Sequence, residues 1–200
     1  MNKLTLFILT SLISIGFSGC APAYNKSIVI EKPQQPLKDM LVVIEQPFFS
    51  PKNGDNLSIN SALFTYNINM NKAASENFVQ VMSDNGIHSK LIFVMPVLNN
   101  SIHPLTLIPN EEQKNWAHVL WLRHVKGKWV SSYGNYNVFF QFEAKIFDTN
   151  SKKMIWDANE SDSGRYYGYF DWRNGQMYRD ILYRLNEDKM IELNSSVPKI

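Results

Sequence analysis

Apolar and polar residues alternate from Asn135 to Glu160. Val138, Phe140, Phe142, Ala144 and Ile146 take every second position, with Asn137, Gln141, Glu143 and Lys145 between them. A period of two predicts a strand with one buried face. Phe139 and Phe147 interrupt the polar face, which predicts partial cover there as well. The polar run Asp148 to Lys153 (DTNSKK) suits a turn, and Met154, Trp156 and Ala158 resume the apolar face. The pattern predicts a long β-hairpin around which the rest of the domain packs.

Upstream, Met40 to Ile44 (MLVVI) is a continuous, β-branched apolar run and predicts a buried strand, stopped by Pro47. The Asn-, Gly- and Ser-rich stretch from Ser50 to Asn69 predicts loops, with a short strand near Leu63 to Tyr66. Asn71 is placed to cap a helix starting at about Lys72. Ala74, Phe78, Val81 and Met82 share one face of that helix, and Asn85-Gly86 ends it. Lys90 to Met95 (KLIFVM) predicts the next strand, stopped by Pro96. This spacing suits two parallel strands joined by a helix with a right-handed crossover.

Asn99 to Asn115 reads mostly as connection. Ala117 to Val125 predicts a strand, with Ala117, Val119 and Trp121 on one face and His118, Leu120, Leu122 and His124 on the other. Lys126-Gly127-Lys128 suits a hairpin turn into Trp129-Val130. After the long hairpin, the segment SDSGRYYGYFDWRNG reads as an aromatic loop leaving the second strand at Ser161. A helix from about Gln176 to Leu193 closes the pattern, with Met177, Ile181, Leu182 and Leu185 as its apolar stripe and Asn194 and Pro198 marking its end. The order predicts an α+β fold: one mixed, mainly antiparallel sheet with helices packed against it, after a cleaved signal peptide.

The first 20 residues, MNKLTLFILTSLISIGFSGC, join a positive start at Lys3 to an apolar run and small residues before Cys20. They predict a secretory signal peptide, too short for a permanent span. The ending Phe17-Ser18-Gly19-Cys20 resembles the lipobox of bacterial lipoproteins, with Phe17 where many have Leu. The chain has a single cysteine, and it stands where a lipobox needs it. The resemblance implies cleavage before Cys20, its diacylglycerol modification and usually an amino-terminal acyl chain (palmitate or similar). More than one acyl chain anchors stably. Ala21, rather than Asp, follows the cysteine, which in a Gram-negative cell implies the outer membrane facing the periplasm. The expected organisation is residues 1–19 as signal peptide, 20–39 as lipidated cysteine and short tether, and 40–200 as one periplasmic domain. Within the tether, Ser27 to Ile30 also suits a short edge strand.

Composition narrows the function classes. The chain is 44 % hydrophobic and 13 % aromatic, enough for a real core. Its 20 basic and 18 acidic residues, 19 against 18 without the leader's Lys3, leave no nucleic-acid footprint. A lone cysteine excludes an internal disulfide and a cysteine-rich metal site.

Chemistry-bearing residues are sparse. His118 and His124 are six residues apart, about 20 Å along a straight strand, too far to share one metal. His88 and His103 lie near loop boundaries without an i, i+4 partner. No G-x-S-x-G and no glycine-rich phosphate loop occurs, and Ser163-Gly164 suits a turn. Glu143 and Asp157 fall across the hairpin, on a predicted polar face with Lys145 and Lys153 as cross-strand partners, which suits a solvated face better than a glycosidase pair. No catalytic, cofactor or metal residue is assigned, and the chain reads as a non-enzyme.

The stronger lead is the cluster Arg165, Tyr166, Tyr167, Tyr169, Phe170, Trp172 and Arg173. These are the residue types that dominate interface hot spots. They serve either to bind a partner or to close one end of the domain over the final helix, and the two roles are compatible.

The pattern "WAHVLWL … NVFFQFEAKIFDTNSKKMIWDAN" and a final helix resembles periplasmic lipoprotein domains: the TolB amino-terminal domain, the CsgG and LpoB lipoproteins, and auxiliary lipoproteins of ABC-type transport systems. Asp148, Lys152 or Lys153, and Trp156 match the turn and return strand, with Ser151 where the turn often has Gly. The long proline-rich linker of LpoB is absent. The resemblance implies an accessory role in a cell-envelope assembly, transport or secretion system, with the membrane (through Cys20) and an envelope protein or a second copy as partners. A lipid or small-molecule carrier with Phe139, Phe147 and Trp129 lining a pocket, or a cell-wall hydrolase, are the alternatives.

Overall fold

The computed structural model describes residues 26–45, 72, 74–94, 102–132, 135–166 and 176–194. Six strands form one sheet: β1 (Lys26–Val29), β2 (Asp39–Glu45), β3 (His88–Val94), β4 (His118–Ser132), β5 (Asn135–Asp148) and β6 (Met154–Tyr166). Their spatial order is β1-β6-β5-β4-β2-β3. β2 runs parallel to both β3 and β4, and the β4-β5, β5-β6 and β1-β6 pairs are antiparallel. The fold is therefore α+β on a mixed, mainly antiparallel sheet.

Alternation sorts the core into two layers. On one face Met40, Val42, Ile44, Leu120, Leu122, Phe142, Ala144, Ile146, Trp156 and Ala158 are buried. Two helices cover them. Helix α1 runs as a wide π-turn over Ser75–Gln80 and continues as α-helix over Val81–Asp84. It contributes Ala74, Phe78 and Met82, as its apolar stripe predicts, and stops where Gly86 takes φ +72°. Helix α3 (Gln176–Glu187) adds Tyr178, Ile181, Leu182 and Leu185. Phe78 and Tyr178 meet edge to face at 5.1 Å. The other face buries Leu41, Val43, Val119, Trp121 and Phe147 beneath Leu105, Ile108 and Trp116. Both faces of β2 are covered, which is why it reads as an unbroken apolar run.

The covering piece on that second face is more ordered than its sequence suggests. It holds a 3-10 turn, Pro104–Leu107, and a short helix α2, Asn110–Asn115. His103 caps the turn, its Nδ1 accepting from Leu105 N at 3.3 Å. Gln113 Nε2 donates to the carbonyls of Leu105 (2.6 Å) and Ile108 (2.7 Å), tying the two pieces together.

Three expectations are corrected. Lys126-Gly127-Lys128 is not a turn: β4 continues to Ser132, with Gly127 opposite Phe140. A bulge between His124 and Lys126 absorbs Val125 and keeps the ladder with β5 intact. Ser163-Gly164 is not a turn either, since both residues pair with Phe139 and Val138 inside β6. The last helix stops at Glu187, not Leu193, because Lys189 enters the left-handed region at φ +60°. Met190 N and Ile191 N then bond back to Leu185 O, and both side chains enter the core. Ser27 to Val29 lies in edge strand β1, the alternative that the sequence allowed for this stretch, and Leu37 is buried.

Candidate functional site

The hairpin turn is built as its residues require. Asp148 Oδ1 accepts from Ser151 N at 2.6 Å, and Asp148 N donates to Lys153 O at 2.9 Å. The left-handed position falls on exposed Lys152 (φ +58°). Thr149 fastens the turn to the start of β4, its Oγ1 donating to Trp116 O at 2.6 Å and its N–H to Ala117 O at 3.0 Å. The hydrogen bonds from Ser151 hold the Asp148 carboxyl below its ordinary pKa.

Several titratable groups gather near this turn. His118 Nε2 lies 3.9 Å from Asp148 Oδ2, and burial holds the imidazole below its usual pKa despite that carboxylate. His88 stacks on Trp116 with ring centroids 4.8 Å apart, and its Nδ1 lies 3.6 Å from Asp39 Oδ1. Lys90 pairs with Glu112, whose other oxygen accepts from Trp116 Nε1 at 3.3 Å. An open cleft of about 600 Å³ beside α2 is lined by Asp39, Asn110, Gln113, Trp116, Thr149 and others, mostly polar. Among the described residues no group of three or more His, Cys, Asp or Glu could hold a metal ion. His103 caps a turn and leans edge-on against Phe147 at 5.2 Å. The placed histidines therefore tie elements together locally.

Glu143 and Asp157 do share the second face, but a lysine intervenes. Lys145 Nζ donates to Glu143 Oε2 at 2.9 Å and sits opposite Asp157 in the β5-β6 register. Glu143 pairs with Asn159 in that ladder. The row continues to Arg123, whose Nε lies 3.4 Å from Glu45 Oε2, and Glu45 is only 5 % exposed. Burial raises the Asp157 pKa, and its Oδ1 has no hydrogen-bond partner. The expected solvated face is in fact half-buried, because Trp121 beside Lys145 is covered by the 102–116 segment. Sequence alternation located these residues but could not reveal that covering segment.

The proposed interface residues divide. Arg165 and Tyr166 lie in β6, opposite Asn137 and Tyr136, rather than in a loop leaving at Ser161. Cys20, Tyr167, Tyr169, Phe170, Trp172 and Arg173 lie outside the described residues. The pairing of β2 with β4 ends at Arg123, and that of β1 with β6 at Asn159. Beyond those points β4, β5 and β6 continue as a three-stranded extension. Among the described residues no strand pairs the outer edge of 160–166.

Sequence reasoning missed a second exposed feature. Ile28 and Ile30 are 62 % and 52 % exposed along β1 and its end. The only available signal was the apolar SIVI run placed between polar neighbours. Among the described residues no helix is long and apolar enough to cross a membrane.

The chain matches no protein-family profile and no curated sequence. Similar solved structures include the PelC dodecamer from Paraburkholderia phytofirmans, at 9 % identity and TM-score 0.49, covering 85 % of this chain and 98 % of that one. Lipoprotein GNA1162 from Neisseria meningitidis is 13 % identical with TM-score 0.40, covering 74 % and 99 %. A putative neuraminyllactose-binding hemagglutinin homolog from Helicobacter pylori is 12 % identical with TM-score 0.36, covering 80 % and 90 %.

Proposed function

We propose that this chain is a lipid-anchored cell-envelope protein whose α+β domain binds another envelope protein without catalysing a reaction. The observation that carries the reading is the lone cysteine at the end of an apolar leader, in the sequence Phe17-Ser18-Gly19-Cys20. Acylation there holds the domain at a membrane, on the outer membrane's periplasmic side in a Gram-negative cell. Tethering raises the effective concentration of a binding site for its partner. The site is the three-stranded extension, with Arg165 and Tyr166 near its end and Tyr167, Tyr169, Phe170 and Trp172 following in sequence. Among the described residues no strand pairs the edge at 160–166, which supports this choice, since free edges accept an added strand.

The non-catalytic reading is supported by the local engagements of the placed histidines and by Lys145 between the two carboxylates. The cleft beside α2 is open and polar, which does not favour a carrier for apolar ligands. Two measurements test the reading. Palmitate labelling should be present in the native protein and lost in Cys20→Ser; equal labelling of both refutes the anchor. Crosslinking in cells should capture a partner that Tyr167→Ala/Tyr169→Ala/Trp172→Ala no longer captures; undiminished capture refutes the site.

A further inference from the structure

We propose that the edge of the sheet from Lys26 to Lys32 lies flat on the surface of an anionic lipid bilayer. The inference rests on the acylation of Cys20 proposed above. Five residues, Ala21 to Asn25, separate that cysteine from the first residue of β1. Six residue steps reach at most about 21 Å when fully extended. The tether is therefore short, and β1 is the element it delivers to the bilayer. The opposite edge, β3, lies five strand spacings away, roughly 24 Å across the sheet.

The delivered edge has the composition of an interfacial strip. Lys26 and Ile28 lie two apart in β1 and so point to one side of the strand, and Ile30 follows at the bend that ends it. Ile28 is 62 % exposed, Ile30 52 % and Val29 38 %. Three β-branched apolar side chains in a row at a sheet edge are an association hazard in water. Lysines frame them. Lys26 and Lys32 are exposed at the two ends of the strip. Lys152 and Lys153 are exposed in the hairpin turn, and Lys153 lines a cleft with Glu31, Pro33 and Ile155. Glu31 is the one acid within the strip itself. The backbone ties the strip in place, with Ile30 N and Glu31 N donating to Ile155 O at 2.9 and 3.0 Å.

A bilayer fits this combination. Short apolar side chains enter the headgroup region, and lysines meet lipid phosphates, whose negative surface potential attracts bases next to an anchor. The same lysines discourage a second strand from pairing along the edge. Docking there would fix the orientation of the domain and hold β3 away from the bilayer.

The test uses the full-length, processed protein in vesicles of phosphatidylethanolamine and phosphatidylglycerol. Acylation consumes Cys20, so Ile28→Cys on one edge and Phe93→Cys on the other each offer a single thiol for an environment-sensitive fluorophore. Lys26→Cys repeats the measurement within the strip in case Ile28→Cys folds poorly. Lipids carrying a quencher near the headgroup should quench the Ile28 and Lys26 positions several times more than the Phe93 position. Lys26→Glu/Lys32→Glu should shrink that difference, as should vesicles without phosphatidylglycerol. Equal quenching at both edges, with the acylated mass present, overturns docking and leaves the anchor standing. A protein without the acylated mass overturns the anchor and docking together. Efficient crosslinking between two copies through Ile28→Cys would identify a second chain as the occupant and overturn the proposal.

Discussion

The two ends of this sheet are made from the same three strands yet live in different surroundings. In β4, residues 119–123 lie between β2 and β5, with Leu120 and Leu122 under helices and Val119 and Trp121 under the 102–116 segment. From Lys126 to Ser132 the same strand keeps only β5 as a neighbour among the described residues. The ladder hydrogen bonds continue, but among the described residues no strand beyond β4, β5 and β6 joins them there. Ladder bonds exchange for bonds to water at modest net gain, whereas stability comes mainly from apolar burial. The burial seen among the described residues is therefore concentrated in one half of the sheet, and the proposed partner site lies in the other.

The largest effect should follow from emptying the packed half. Trp156 is fully buried in β6, and its Nε1 donates to Asp188 Oδ2 at 2.6 Å, joining the sheet to the end of α3. Trp156→Ala removes the ring and leaves Asp188 without that donor. It should cost about 3–5 kcal/mol, measured by urea unfolding. A loss below about 1 kcal/mol would mean that the packed half does not hold the fold.

A smaller loss is expected at the turn between the same two strands. Asp148→Ala removes the acceptor for Ser151 N and should cost about 1–2 kcal/mol at neutral pH. The depressed pKa of Asp148 gives this contribution a direction. It is present above the ordinary carboxylate pKa and is lost as pH falls through the lower folded value. The mutant penalty should therefore vanish in strong acid.

His118 gives a pH effect at milder values. Burial lowers its folded pKa below the ordinary 6.5, so the unfolded chain binds the proton more readily. Stability from this group is present above about 6.5 and falls as pH drops toward the folded value. His118→Gln should flatten the fall of the unfolding midpoint as pH drops below about 6.5. Asp157 has the opposite sign. Its raised pKa means that ionisation costs stability as pH rises through the folded value. Asp157→Asn should raise the melting temperature at pH 7 by about 1–2 °C, a few tenths of a kcal/mol, with the gain gone in acid below the ordinary carboxylate range.

The packed half was also the legible half. The hairpin alternation, the MLVVI run and the Ala74-Phe78-Met82 stripe each found their place because one face meets a core that sequence periodicity registers. The same periodicity failed where neighbours decide. Gly127 and Ser163-Gly164 carry turn chemistry, yet a strand already aligned on β5 overrides it. Lys189 ended a helix without glycine or proline because Met190 and Ile191 gain burial by turning inward. The short helix α2 has an apolar partner only through Trp116 and its neighbours, so no helical stripe announced it. For the proposed interface, composition pointed to Arg165 and Tyr166, while their place on a strand depended on a partner 28 or 30 residues earlier in the chain, at Asn137 and Tyr136.

The smallest stability effect should come from the extension itself. Arg165 and Tyr166 pair through their backbones with β5 at a point where β1 has already ended. Substituting their side chains leaves the ladder in place. If these side chains serve the proposed interface, Arg165→Ala/Tyr166→Ala should change unfolding free energy by no more than about 0.5 kcal/mol. Partner capture by the same variant should fall about tenfold or more, as loss of an interface anchor requires. The two readouts separate the roles that composition left compatible. A loss of 2 kcal/mol or more with capture in proportion to folded protein would make this end part of the core. Unchanged stability with lost capture makes it the surface the packed half exists to present.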